Sequence, residues 1–123
     1  MRTKLLALAA ALLPLASLAA GGGAHLDNAN VDVGNRASLQ RGAANFVNYC
    51  LGCHSAQFVR YNRMAADLGI TEQQLIDNLM FTGERPHDLM KIGINRDDAL
   101  RWFGVVPPDL SLIARSRGAD YIY

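Results

Sequence analysis

Apolar residues recur every three or four positions in several short stretches of the chain, which is the spacing of an amphipathic helix. The stretch SLQRGAANFVNYC has this spacing at Leu39, Ala43, Phe46 and Cys50. Ser38 is its candidate N-cap, because a serine oxygen can accept a hydrogen bond from a free amide of the first turn. The pattern predicts a helix that carries Cys50 on its apolar face.

Two further stretches combine helical spacing with residues that start and stop helices. TEQQLIDNLMF begins at the candidate cap Thr71 and has Gln74 in the capping-box position, and we expect this helix to stop at Gly83. NRDDALRWFG is framed by Asn95 as cap and Gly104 as terminator. Both stretches are therefore predicted to be short helices.

A fourth stretch, DLSLIARSRG, has Asp109 as its candidate cap and Gly118 as its stop. Alternating polar and apolar residues occur in NANVDVGN, which is too short and polar to indicate a buried strand. The predicted fold class is mostly α, with short helices joined by loops. Helices this short are only marginally stable on their own. A domain of this size also has a small hydrophobic core. A large apolar cofactor at its centre would therefore provide the apolar surface against which the helices could pack.

The N-terminal stretch MRTKLLALAAALLPLASLAAGGG has a basic start, an apolar run and then small residues. This order predicts a secretory signal over residues 1–20, followed by a single mature domain over residues 21–123. An uncleaved anchor helix is the alternative. Pro14 and an apolar length below the roughly 20 residues of a membrane span weigh against the anchor.

Export changes what the charge and the cysteines indicate. Without Arg2 and Lys4 the formal charge changes from +1 to −1, and no basic run remains, so nucleic acid is not an expected partner. An exported protein meets an oxidising compartment, in which an idle pair of thiols tends to be oxidised. Cys50 and Cys53 therefore indicate a disulfide, a metal site or a covalent attachment.

Both cysteines occur in the stretch NYCLGCHSAQF, and His54 directly follows Cys53. A disulfide between them would close a very small loop and would leave the histidine unexplained. A thioredoxin-like redox pair needs a βαβ context, which the pattern does not show. A structural zinc site needs about four ligands, and only His25 and His87 remain as further histidine candidates. The motif therefore fits a zinc site poorly.

One covalently bound haem c uses all three residues of this motif. Cys50 and Cys53 would form thioethers with its vinyl groups, and His54 would be the proximal ligand of the iron. The spacing suits this role, because residues i and i+3 lie on one face of a helical turn. Haem c is therefore the interpretation that we favour.

Two blocks that extend beyond this motif resemble the cytochrome c1 family, the haem subunit of ubiquinol–cytochrome c reductase, in its bacterial form. They are YCLGCHSAQFVRYNRMAADLGI and RWFGVVPPDLSLIARSRGADYIY. The resemblance runs from about Leu26 to the last residue. RYNR at residues 60–63 and PPDLS at residues 107–111 make it more specific than the haem-attachment motif alone.

The resemblance implies a cytochrome-c-like fold at the periplasmic face of the bacterial inner membrane. Electrons would arrive from a Rieske iron–sulfur protein and leave to a cytochrome c, in a membrane complex that includes cytochrome b. It also implies that Pro107 and Pro108 line the haem edge, that Arg117 hydrogen-bonds a propionate and that Tyr121 lies near the haem. A guanidinium suits a partly buried carboxylate, which is costly unless it is paired.

The family has its axial methionine well beyond the DYIY stretch and then a C-terminal membrane helix. The resemblance therefore implies that this chain is the N-terminal part of a longer protein, without the sixth ligand and the anchor. Met90 and His87, in GERPHDLMKIGI, are the local candidates for a sixth ligand. The alternative function, a free-standing periplasmic monohaem carrier, would need such a ligand.

The remaining distinctive side chains have structural interpretations. We expect Met64 and Met80 to lie in the core, because methionine is a flexible packing residue. Trp102 and Phe103 are expected to pack against the haem or neighbouring helices. No Ser/His/Asp arrangement or phosphate loop indicates hydrolytic or transfer chemistry, so we expect an electron carrier without a bond-breaking site of its own.

Overall fold

Helices dominate the part of the chain that the computed structural model describes, residues 25–123. In chain order the elements are α1 (Arg36–Asn45), a π-helical turn (Phe46–Cys50), β1 (Ala56–Arg60), α2 (Tyr61–Leu68), α3 (Glu72–Leu79), β2 (Leu89–Met90), α4 (Arg96–Phe103) and α5 (Ile113–Arg117). The mostly α class is thereby confirmed for these residues, with the addition of a small sheet. The predicted signal over residues 1–20 lies outside the described residues.

The starts of α3 and α4 are those that the sequence predicts. Thr71 and Gln74 form a reciprocal capping box, in which each side chain accepts from the other residue's backbone N–H, at 3.2 and 3.0 Å. The Asn95 side chain accepts from the N–H of Asp98 at 2.9 Å, and α4 ends at Gly104, whose φ of 71° is left-handed. These two predictions are confirmed. Capping depends on residues that are close in sequence, so it can be recognised from the sequence alone.

The end of α3 differs from the prediction, since the helix stops at Leu79 and does not continue to Gly83. Gly83 instead lies against the ring of Tyr61. A Cβ atom at residue 83 would come within 2.7 Å of the Tyr61 Cε2 atom. Glycine is required there by the close approach of an aromatic ring, not by helix termination.

Two predicted caps are also wrong. The first helix begins at Arg36, and its N-cap is Asn35, which accepts from the N–H of Ser38 at 3.0 Å. Asp109 does not cap α5, which begins at Ile113 without a side-chain cap. Its carboxylate instead accepts from a distant backbone amide, as described below. The predicted stop at Gly118 is confirmed.

The sheet consists of β1 and β2, which pair antiparallel. Ala56 lies opposite Met90 and Arg60 lies opposite Leu89, with an irregularity between these two pairs. Because β2 has two residues, it is too short to show the alternation by which strands are predicted. The sheet therefore leaves no periodic pattern from which it could be predicted.

A core cluster of buried side chains lies between α1, the π-helical turn, the sheet, α2 and α3. Its members are Val47, Leu51, Ala56, Tyr61, Ala65, Leu75, Leu79 and Met90. The ring of Tyr61 is fully buried, and its hydroxyl forms a 2.8 Å hydrogen bond with the hydroxyl of Thr82. Met64 and Met80 pack against this cluster, as predicted.

Trp102 and Phe103 lie outside this core, at the end of α4. Their side chains are 59% and 50% exposed, and the two rings meet edge to face at 6.4 Å between centroids. Neither ring belongs to the core cluster, and Phe103 lines a cleft beside His54, so the expectation that they pack against the haem or neighbouring helices stays a prediction. Over residues 25–123, no helix has the length and apolar character needed to cross a bilayer.

Candidate functional site

A single turn holds the two cysteines and the histidine of the motif. The π-helical turn that precedes it is closed by a hydrogen bond from the N–H of Leu51 to the carbonyl of Phe46, at 2.9 Å. The N–H groups of Cys53 and His54 both donate to the carbonyl of Cys50, at 3.0 and 2.8 Å. Leu51 is 1% exposed and fixes this turn to the core cluster. Widened helical turns of this kind are frequent at functional sites.

Both thiols are free in the structure. Cys53 is exposed and Cys50 is half-buried, so both thiols lie on one turn at the protein surface. Two thiols on one turn of the chain are placed to bond to a single ligand.

The imidazole of His54 is oriented by one hydrogen bond. Its Nδ1 atom lies 2.8 Å from the carbonyl oxygen of Pro108. A carbonyl oxygen accepts only, so this contact requires the proton on Nδ1, and in the neutral ring it leaves Nε2 with a free electron pair. Metal-ligating histidines characteristically have this arrangement, because the second nitrogen fixes the tautomer and the ring orientation.

The carbonyl of Pro108 belongs to the PPDLS segment, residues 107–111, which is tied to residues 54–58 by further hydrogen bonds. The N–H of Leu110 donates to the carbonyl of Ser55 at 2.8 Å. The carboxylate of Asp109 accepts from the N–H of Gln57 at 2.8 Å. The hydroxyl of Ser111 accepts from the N–H of Phe58 at 3.1 Å. This segment therefore lies beside the chain that follows the motif.

The carboxyl of Asp109 is kept ionised in this position. Its partial burial acts to raise the pKa, but hydrogen bonds from Gln57 and Ser111 outweigh that effect and hold the pKa of Asp109 below its usual value. The Ser111 N–H contributes one of these bonds, at 2.9 Å to Oδ1. Each carboxylate oxygen therefore has its own backbone donor.

An open cleft of about 320 Å³ lies beside the histidine. The residues that line it are Cys53, His54, Phe103, Val105, Pro107 and Pro108. Apart from the motif residues, its walls are entirely apolar. The donor set of two thiols and one free imidazole nitrogen beside an apolar cleft fits a covalently held haem.

Pro107 and Pro108 line this cleft, and their place at a haem edge stays a prediction. Arg117 and Tyr121 contact each other, with the guanidinium carbon 5.3 Å from the centre of the tyrosine ring. Both are exposed, and neither lines the cleft. Their predicted roles at a propionate and near the haem therefore stay predictions as well.

The two local candidates for a sixth ligand lie away from the cleft. Met90 is 1% exposed, belongs to the core cluster and pairs with Ala56 in the sheet. His87 is exposed on a separate polar cavity of about 490 Å³, together with Arg60, Arg85 and Lys91. Met90 would have to leave the core to reach a metal at His54.

Sequence reasoning missed the part that Asp109 and Ser111 take in the site. Their partners, Gln57 and Phe58, are more than fifty positions away along the chain. One local signal was present, since Asp-x-Ser after paired prolines favours an Asx-turn in which the carboxylate binds the N–H two residues on. That signal would have shown the turn but not its contact with residues 54–58.

The geometry is that of a turn that can attach a c-type haem, and comparison with known proteins identifies the family. The model of the Cytochrome C1 family matches residues 28–123, so the chain belongs to this family. It is 55% identical over 123 residues to the cytochrome c1 of Allochromatium vinosum, which covers 100% of this chain and 50% of that protein.

A second relative has a different name. The chain is 48% identical over 120 residues to the ammonia monooxygenase gamma subunit of Nitrosomonas europaea, covering 98% of this chain and 51% of that protein. The chain thus spans about half the length of both curated relatives.

Proposed function

We propose that this chain carries one haem c for electron transfer, attached through thioethers at Cys50 and Cys53 and ligated at the iron by His54. The observation that carries the proposal is the Nδ1 contact of His54 with the Pro108 carbonyl, which leaves Nε2 free beside two free thiols. When bound, the haem supplies reversible one-electron chemistry at its iron. Family membership supports the same assignment.

The residues of this chain would bind, orient and shield that group. The thiols fix its position, and the hydrogen bond on Nδ1 sets the direction of the imidazole. Phe103, Val105 and the paired prolines give the cleft apolar walls. Such walls limit access of water, which is one of the protein's means of setting a redox potential. Arg117 is exposed, and its guanidinium can pair with a carboxylate of the ligand.

The proposed route takes electrons from a Rieske iron–sulfur protein to a cytochrome c, within a quinol–cytochrome c reductase that also contains cytochrome b. In this proposal residues 1–20 direct export, and the domain lies at the periplasmic face of the inner membrane. Membership of the cytochrome c1 family and the similarity to the cytochrome c1 of Allochromatium vinosum support this route.

Haem attachment is tested by cysteine variants expressed with periplasmic c-type maturation. In Cys50→Ser or Cys53→Ser one vinyl group stays unsaturated, so the α-band of the pyridine haemochrome is expected to shift to longer wavelength. The double variant is expected to lose haem staining on a denaturing gel. Tyr49→Ser is the matched control, because this neighbouring side chain is 83% exposed. Unchanged staining in the double variant would contradict thioether attachment.

The partners are tested by purifying the haem-loaded full chain from native membranes through an affinity tag. Mass spectrometry is expected to find cytochrome b and the Rieske protein in stoichiometric amounts. Recovery of ammonia monooxygenase subunits in their place would overturn the proposed complex and leave haem attachment intact. Stopped-flow mixing with reduced Rieske protein then measures whether the haem is reduced directly.

A further inference from the structure

We propose that Asp109 and Ser111 are positioning residues for His54, which hold the carbonyl of Pro108 against its Nδ1 atom. This inference rests on the proposed function, because its effect is measured at the haem. Neither side chain is a hydrogen-bond partner of the imidazole, and neither lines the cleft. They act through the backbone of the PPDLS segment.

Side chains supply the acceptors that hold this segment against residues 57 and 58. Gln57 and Phe58 have backbone N–H groups that point to the PPDLS segment, and Asp109 and Ser111 satisfy them with side-chain oxygens, at 2.8 and 3.1 Å. The segment begins with two prolines, which have no N–H to donate in return. Leu110 supplies the one backbone donor that pairs this segment with residues 54–58, at 2.8 Å to Ser55.

Asp109 suits this position better than another acceptor would. Its Oδ1 atom accepts from the N–H of Ser111 at 2.9 Å, and its Oδ2 atom accepts from the N–H of Gln57. One oxygen therefore makes the segment rigid, and the other fixes it to β1. Since Asp109 directly follows Pro108 in the chain, this anchor limits how far the Pro108 carbonyl can move.

The consequence for the histidine concerns its strength as a ligand. A hydrogen bond from Nδ1–H to a carbonyl makes the imidazole more basic and fixes its orientation. Stronger donation favours the oxidised iron, so a weakened bond is expected to raise the midpoint potential. A residue that only stabilised the fold would not change the potential.

The test compares Asp109→Ala and Ser111→Ala in the haem-loaded full chain. The matched control is Asp88→Ala, because the Asp88 carboxylate also accepts from two backbone amides, at 3.1 and 2.9 Å, within its own loop. Ser111→Thr keeps the hydroxyl and serves as the conservative variant. Each sample is measured for haem content by pyridine haemochrome, for midpoint potential, and for hydrogen exchange at the amides of Gln57 and Phe58.

We expect both alanine variants to keep their haem, to shift the midpoint potential to a more positive value and to exchange these amides faster. Asp88→Ala and Ser111→Thr are expected to keep the wild-type potential. Potentials unchanged in both alanine variants overturn the inference. If Asp109→Ala does not fold, Ser111→Ala decides by the same criterion. Absence of haem from the wild type would reject the proposed function, whereas haem with unshifted potentials rejects this inference alone.

Discussion

The region from Val47 to Met90 and the region from Asn95 to Tyr123 are stabilised in different ways. The first contains all eight members of the core cluster. In the second, Ala99 is the one fully buried hydrophobic residue that the structure describes. Its large apolar side chains are at least half exposed at Trp102, Phe103, Val105, Leu112, Tyr121, Ile122 and Tyr123. The first region is therefore stabilised by apolar burial, whereas the second leaves apolar side chains exposed, of which Phe103 and Val105 line the cleft.

Four hydrogen bonds connect the two regions beside the motif. Hydrogen bonds join residues 54–58 to residues 108–111, where His54, Ser55, Gln57 and Phe58 each have a partner. Hydrogen bonds are directional and individually modest in net free energy. They position the second region without giving it a core of its own. A large apolar ligand in the cleft would cover surface that the protein alone leaves exposed.

The largest effect is expected from opening a cavity in the core cluster. Leu75 is fully buried, so Leu75→Ala should lower the free energy of unfolding by about 2–5 kcal/mol. Ile76 is the neighbouring control, because it lies on the same helix but is 42% exposed, and Ile76→Ala should cost about 1 kcal/mol or less. Denaturant unfolding followed by circular dichroism measures both. Equal losses would mean that burial does not distinguish the two positions.

A smaller loss is expected from overpacking the same core. Gly83→Ala would place a Cβ atom 2.7 Å from the ring of Tyr61, which is fully buried and cannot move away easily. Strain of this kind costs roughly 1–3 kcal/mol. Gly93→Ala is the control, because nothing lies within 4 Å of its added Cβ. The same unfolding experiment should show a loss for residue 83 alone. If Gly83→Ala left the free energy of unfolding unchanged, the Tyr61 ring would have to shift without cost to stability.

The N-caps of α3 and α4 allow the two regions to be compared directly, because both caps accept a backbone N–H with a side-chain oxygen. Thr71 caps α3, which contributes Leu75 and Leu79 to the core cluster, and Asn95 caps α4, which contributes none. Each change to alanine should cost about 1 kcal/mol, because a lost cap is a local effect. Thermal unfolding of the two variants measures this. If Asn95→Ala had no effect on the global transition, the second region would unfold separately from the first.

The local parts of the fold could be predicted from sequence, and the distant contacts could not. Thr71 and Asn95 were recognised as caps because a cap and its amide are three residues apart. The pairing of β1 with β2 joins short segments and leaves no periodic pattern. The apolar character of Trp102 and Phe103 predicts packing against a haem or neighbouring helices, but it does not specify which apolar residues the protein itself buries.

The candidate site shows the same limit. Cys50, Cys53 and His54 are close in sequence, so their spacing alone predicted one shared turn. Asp109 was correctly recognised as an acceptor for backbone N–H groups, but it caps no helix and accepts from β1 instead. Its carboxylate binds Gln57, and that partner depends on how the chain returns to residues 54–58. The chemistry of a side chain could therefore be predicted where its partner could not.

The smallest effect is expected from the charge of Asp109. Because its pKa in the folded protein lies below the unfolded value of about 3.9, its ionisation stabilises the fold above that pH, and this contribution is lost as the pH falls through the folded pKa. Asp109→Asn keeps one acceptor oxygen but cannot ionise. The difference in unfolding free energy between wild type and variant should therefore shrink on acidification. Denaturant titrations from neutral to acidic pH measure it, with exposed Asp97→Asn as the control. A difference that stays constant with pH would show that the hydrogen bonds to Gln57 and Ser111 do not depend on the charge.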